Sequence, residues 1–365
     1  MKEYLKSYDV KLEVIGPVFV GSGREINKKE YLFLPENKIG VIDPIKTYQL
    51  MEKRSLKNQY EDYMLNDNRT YLKDWFYSKG IKQKDLSEIM RYVLEKGDTT
   101  LQKGLRTQVM EFVKDPYGKA YIPGSTLKGM LRTIILMKNL FDNECTDLKK
   151  KFKYAIPNER EAYRNVYLAR EMRNTEAVFL NTLNKNEERR EDAVNDILSG
   201  FIISDSKPIE MDNFVLCQKI ERHVDGTEKR LNLLRECIKP GTIVEFTITM
   251  DHSIVPWDID YVIKAVNLFD DIYYEHFLSK FSGMGRICDQ TVYVGGGAGY
   301  ATKSIMYAMF REDAVKYIPV IFKNTNVPEM HRHDKDKYLG VAPHIVKCTY
   351  FEGETLQFGE CRISF

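Results

Sequence analysis

Polar and apolar residues alternate from Tyr8 to Val14, with Tyr8, Val10, Leu12 and Val14 set against Asp9, Lys11 and Glu13. A period of two predicts a strand with one buried face. Gly16-Pro17 interrupts it, and Val18-Phe19-Val20 then leads into Gly21-Ser22-Gly23-Arg24. Tyr31–Leu34 and Lys38–Ile42 read as a hairpin around Pro35-Glu36-Asn37. From Ile45 to Gly97 the period lengthens. Tyr48–Met51, Tyr60–Leu65, Tyr71–Tyr77 and Leu86–Leu94 carry helical spacing and predict a helical insertion. Strand signals return over Thr107–Val113, before a turn at Asp115-Pro116-Tyr117-Gly118. Lys119–Phe141 is the clearest unit: Ala120-Tyr121-Ile122 as a strand, Pro123-Gly124 as a turn, and a helix through Leu140 capped by Ser125 or Thr126.

A second charged, helical stretch is expected from Asp142 to about Ser199. Strands follow at Phe201–Ile203, Phe214–Ile220 and Thr242–Met250, then a helix over Trp257–Leu278. Thr291–Val294 enters a glycine-rich loop, a helix covers Ser304–Phe310, and short strands close the chain. This order predicts an α+β protein with RRM-like (ferredoxin-like) cores and large helical insertions at about 45–97 and 142–199. The expected division is 1–200, an N-terminal ferredoxin-like RNA-binding domain, and 201–365, a second α+β ferredoxin-like region with the glycine-rich loop.

Composition narrows the classes. The 365 residues are 43% hydrophobic and 30% charged, ordinary for a globular protein and unlike a disordered chain. The longest uncharged run, Gln290–Thr302, has 13 residues including four glycines, short of the roughly 20 apolar residues that span a bilayer. The opening residues lack the basic-then-apolar order of a secretory leader. The six cysteines form no CxxC pair, so reduced thiols in a cytoplasmic protein are expected, without structural zinc.

Net charge is only +2, from 55 basic and 53 acidic residues, but it is segregated. Pro116–Phe141 contains no acidic residue, and Lys149–Arg190 carries 11 basic against 6 acidic residues. Within the acid-free window Lys119, Lys128, Arg132 and Lys138 stand without a local partner. Lys128 and Arg132 share a helix face just beyond an N-terminus whose free N–H groups attract anions, and Gly129 would admit a neighbouring backbone. Phosphate is the fitting ligand; a solvated basic face is the bland alternative.

Gly295-Gly296-Gly297-Ala298-Gly299-Tyr300-Ala301-Thr302-Lys303-Ser304 is one residue from a phosphate-binding loop, with Thr302 where that pattern wants glycine. A glycine loop against a nucleic-acid backbone is preferred to a nucleotidase, and a plain turn remains open. Gly21-Ser22-Gly23-Arg24 and Ser282-Gly283-Met284-Gly285-Arg286 each place arginine after a Gly-x-Gly turn, suited to phosphate but equally to simple hairpins. His331-Arg332-His333-Asp334-Lys335-Asp336 reads as a mobile surface loop rather than a metal site, and His344 as a packing residue. Tyr293 and Tyr300 are candidates for base stacking. No histidine precedes His223, so the N-terminal half lacks the commonest general acid or base.

The strand and glycine turn of Val14–Arg24, Ile122–Arg132 and the Gly295–Ser304 loop together resemble the RAMP superfamily of CRISPR-associated proteins. The likeness is greatest to the type III-A (Csm) subunits that cap the filament at the 3′ end of the guide RNA. The resemblance implies CRISPR RNA and other Csm subunits as partners, especially the filament backbone subunit. It also implies a recruited nuclease for 3′-end maturation, and no cofactor, metal or membrane. It places RNA contacts at Gly21, Ser22, Gly23, Arg24, Ser125, Lys128, Arg132 and the glycine loop (Gly296, Gly297, Gly299, Tyr300, Lys303). Gly129, Gly285 and Arg286 join them on the residue reading above. The chain lacks the aspartate after the first strand with which backbone subunits cut target RNA, since none occurs between Val10 and Ile42, and it lacks the N-terminal histidine of the processing endonucleases. A noncatalytic subunit is therefore expected; an active endoribonuclease, a nucleotidase and a cap touching only protein are the alternatives.

Overall fold

The computed structural model describes residues 4–66, 70–100, 108–159, 162–163 and 165–365. Thr107, at the head of one expected strand, and Arg160, Glu161 and Arg164 in the second charged stretch lie outside these. In chain order the first elements are β1 (Leu5–Val14), β2 (Gly21–Ile26), β3 (Tyr31–Leu34), β4 (Lys38–Ile42), α1 (Pro44–Lys53), α2 (Lys57–Leu65), α3 (Leu72–Ser78), α4 (Gln83–Glu88), β5 (Met90–Glu95) and β6 (Gln108–Phe112). Next come α5 (Gly124–Asp142), α6 (Thr146–Asn158), α7 (Ala169–Phe179), β7 (Phe201–Ile203), β8 (Phe214–His223), β9 (Glu228–Ile238), β10 (Ile243–Asp251) and α8 (Ile259–His276). The last are β11 (Thr291–Tyr293), α9 (Met306–Phe310), α10 (Ala314–Asn324), α11 (Asp336–Leu339), β12 (Ile345–Phe351), β13 (Glu354–Gln357) and β14 (Glu360–Ser364).

One sheet has the order β11-β14-β1-β10-β7, antiparallel throughout. Its strands β14-β1-β10-β7, with α5 between β1 and β7 and α8 after β10, reproduce the fourth-first-third-second order of a ferredoxin-like βαββαβ unit. The alternation seen in the sequence is the cause: Val10, Leu12 and Val14 of β1 are fully buried and register against Phe246, Val244 and Cys361. Leu127, Leu131, Ile134, Ile135 and Leu140 give α5 the apolar stripe that packs on this sheet and on α8.

The second sheet runs β2-β6-β9-β8-β5-β4-β3, with β12 and β13 added beside β8. It is mixed, since β5–β8 and β6–β9 pair in parallel. Both sheets take strands from either side of residue 200: β1 pairs with β10 and β14, and β6 with β9. The first helical insertion is shorter than its period suggested. Leu86–Leu94 divides into α4 and β5, because Tyr92-Val93-Leu94 finds a ladder partner in β4. It keeps its own core, with Tyr60, Tyr63, Trp75 and Phe76 packed together. In the second stretch the α-helices are α6 and α7; residues 181–199 form turns and 3₁₀ segments. All six thiols are free.

Candidate nucleic-acid interface

The chain leaves β1 and crosses to the second sheet through Val18, which bridges Ile238, and Phe19, which bridges Gly295. That crossing unites two motifs far apart in sequence. Gly21 lies against the Phe19 ring, and the Gly296 N–H donates to the Phe19 carbonyl at 2.6 Å. Gly295 has φ +77°, and a Cβ there would stand 2.2 Å from the Phe19 oxygen. Gly297 has φ +97°, and a Cβ there would meet the Arg235 guanidinium at 2.8 Å. Only glycine fits both positions. Lys303 folds back so that its Nζ donates to the Gly295 carbonyl at 2.6 Å.

Beneath this loop lies a residue that sequence reasoning missed. Arg235 of β9 is wedged between the rings of Phe19 and Phe358, 5.3 and 5.2 Å from their centroids. Among the described residues neither its Nε nor its Nη1 has a hydrogen-bond partner, though both are buried. Burial depresses its pKa, yet a guanidinium keeps its charge. An arginine in phase with Leu231, Leu233 and Cys237 was the available signal. Lys219 and Lys347 flank it, sharing Glu221 at 3.6 and 2.6 Å. Burial first, then Lys347, pushes Lys219 down to about 8. Lys303 is lowered by burial and by Arg235. The cations here outnumber the one carboxylate, so the cluster presents surplus positive charge to any phosphate laid on the loop.

The α5 motif meets the same neighbourhood from the other side. Arg132 lines a cavity of about 320 Å³ with Tyr300 and Lys303. It is not unpaired, however: it binds Asp196 at 2.5 Å and Glu176 at 2.9 Å. Lys128 donates to the Leu198 carbonyl at 2.7 Å, and Lys138 pairs with Asp142 at 2.6 Å. The acid-free window is thus answered by carboxylates from outside it. Nor do Ser125 or Thr126 cap the helix. It starts at Gly124 behind Pro123, and the carboxylate of Asp205 accepts from the Gly124 N–H at 2.8 Å. Ser125 and Gly129 are exposed, with open space over Gly129. The glycine demanded by close packing is Gly124, where a Cβ would lie 2.4 Å from the Ile203 and Ser204 carbonyls.

Gly21–Arg24 forms the start of edge strand β2, with Gly23 at φ +87°, rather than a tight hairpin turn. Ser22 donates to Glu111, and Arg24 pairs with Glu30 and, at 3.6 Å, with Glu111. Arg286 turns back on α8, held by Asp271 at 2.8 Å and stacked 5.0 Å from the Tyr274 centroid. Gly285 is exposed beside it. Tyr293 is a core residue, and Tyr300 packs edge-on against Phe322 at 4.9 Å.

The near-match to a nucleotide loop dissolves in three dimensions. Thr302 donates to the Gly299 carbonyl, Lys303 is committed to Gly295, and the helix that comes next, α9, has only five residues. The His331–Asp336 run also differs from a bare surface loop. Asp336 is fully buried and receives the Nδ1 atoms of His333, at 3.0 Å, and of His344.

A ferredoxin-like antiparallel sheet beside a second, mixed sheet, with a glycine loop laid over cations of the latter, defines an α+β class of protein. The chain belongs to the RAMP superfamily, whose family model matches residues 11–342. It is similar to the CRISPR system Cms protein Csm5 of Mycobacterium tuberculosis, 25% identical over 389 residues, covering 100% of this chain and 99% of that protein. The Streptococcus thermophilus Csm5 is 25% identical over 321 residues, covering 84% of this chain and 82% of that one. Among solved structures, a chain of the Csm-crRNA-target RNA ternary complex of a type III-A CRISPR-Cas system superposes with TM-score 0.64 at 17% identity, over 98% of this chain and 100% of that one. The crystal structure of T. onnurineus Csm5 does so with TM-score 0.61 at 16% identity, over 96% and 99%. Among the described residues no helix is long and apolar enough to cross a membrane.

Proposed function

We propose that this chain is a noncatalytic RNA-binding subunit of a type III-A (Csm) effector ribonucleoprotein, seated at the 3′ end of the guide and supporting its maturation through a separate nuclease. The observation that carries the RNA-binding part is Arg235: a buried guanidinium without a carboxylate partner among the described residues, directly under a loop of positive-φ glycines. Such an arrangement costs stability in the free chain and is offset when a phosphate arrives. The Csm5 name of the relatives supports the choice of complex. Contacts of this kind grip the backbone, so the guide's sequence would be read only slightly. The noncatalytic part draws support from the internal commitments of Thr302 and Lys303. The remaining sequence-derived contacts, Gly21–Arg24, Ser125, Lys128, Gly129, Arg132, Gly285 and Arg286, belong to the same proposal as a wider rim.

The test is reconstitution with the partner subunits and a CRISPR-derived RNA, comparing the wild type with Arg235→Gln. Guide binding is expected to weaken by about tenfold, and the slope of log K against log salt to shrink by about 1. Unchanged affinity and slope would remove Arg235 from the interface. The same preparation is incubated with labelled repeat RNA, with and without chelator; cleavage by this subunit alone would refute the noncatalytic role.

A further inference from the structure

Four of the chain's six histidines, His223, His331, His333 and His344, gather beside the basic cluster around one buried carboxylate. The His333 and His344 rings are 5.2 Å apart; His223 lies 5.7 Å from His344 and His331 lies 6.1 Å from His333. Asp336 sits between the inner pair, each of its oxygens engaged by one imidazole Nδ1. One ligand atom from each of His333, Asp336 and His344 falls within 4.8 Å of the others. A tetrahedral ion with bonds of about 2.0–2.2 Å needs donors about 3.3–3.6 Å apart, which a rotation of His333, whose side chain is 14% exposed, would supply.

We propose that His333, Asp336 and His344 form a divalent transition-metal site, with Zn²⁺ as the ion that this donor set fits. Two imidazoles and a carboxylate leave a fourth position for water or for a flanking histidine. Glu221, Lys219 and Lys347 face His331 and hold their own charges in a mutual pair network, leaving the Asp336 charge for the ion. His333 opens onto a surface groove of about 860 Å³ lined by Phe322, Asn326 and Arg332, which gives the ion access. The donors come from separated stretches: His333 and Asp336 after α10, His344 immediately before β12. The ion would therefore pin residues 329–344 against the strand that carries Lys347. The site is independent of the RNA reading.

The full-length, tag-free protein is stripped with chelator and titrated with ZnCl₂, following heat and melting temperature. Saturable binding of one Zn²⁺ per chain with a raised melting temperature is expected. In His333→Gln, affinity should fall more than tenfold and the rise in melting temperature on adding ZnCl₂ should be lost. Absence of saturable binding in the wild type, or equal binding by His333→Gln, would overturn the site and leave a purely hydrogen-bonded His–Asp–His network.

Discussion

Arg132 and Arg235 show how differently two arginines can be placed by one fold. Arg132 stood out in the sequence because its window holds no acid, yet Asp196 and Glu176 reach it from 64 and 44 residues away. Its role in the free chain is to tie α5 to α7 and to the turns that follow it. Arg132→Ala should lower stability by about 1 kcal/mol in chemical denaturation, with the loss shrinking in high salt. Local charge was legible in the sequence; pairing was not, because it depends on contacts across the fold. Arg235 is the converse, unremarkable in sequence and, among the described residues, left with its Nε and Nη1 unpaired in the fold. Glu360 belongs to the same scale. Burial, then Asp270, raises its pKa from 4.5 to about 7, so the native state keeps a proton that the unfolded chain has released. This contribution is fully present below about pH 4.5 and is lost as pH rises through about 7. Denaturation across a pH series should show Glu360→Gln more stable than the wild type at pH 8, by on the order of 2–3 kcal/mol, and level with it near pH 4.

Elements with a strong local cause were legible in the sequence. The period-two run became β1, which starts three residues earlier, and the turn before a long apolar stripe became α5, within two residues at either end. Leu86–Leu94 was not, since a short apolar run fits helix or strand until β4 supplies a ladder partner. Glycines divide similarly. Gly129 lies inside α5 with open space around its Cα, so Gly129→Ala should stabilise the helix by about 1 kcal/mol. Gly295→Ala forces a Cβ onto the Phe19 carbonyl at positive φ and should cost at least as much in the opposite sense, loosening the loop over Arg235. Paired melting curves of the two variants test both signs, and a tolerated Gly295→Ala would mean that the loop is freer than its contacts imply.

At the scale of the whole molecule, the fold closes through pairings that no local pattern announces. β1 is sandwiched between strands that begin at residues 243 and 360, so the ferredoxin-like unit is complete only when both ends of the chain are present. The α+β class was legible from the order of elements; the interleaving of the two sheets was not, since register over such separations is set by tertiary packing. The α1–α4 insertion stands apart, because its aromatic cluster forms a second core distinct from the one that joins the sheets. Separate cores allow separate opening. Phe76 is fully buried in the insertion, and Phe76→Ala should cost about 3–5 kcal/mol there. Hydrogen exchange should then accelerate across α1–α4 while amides of β1, β10 and α5 keep their protection, and the guide-RNA binding proposed for the glycine loop should survive. Uniform acceleration through both sheets would instead mean that the insertion and the two-sheet body fold as one cooperative unit, and that the insertion braces that body rather than standing beside it.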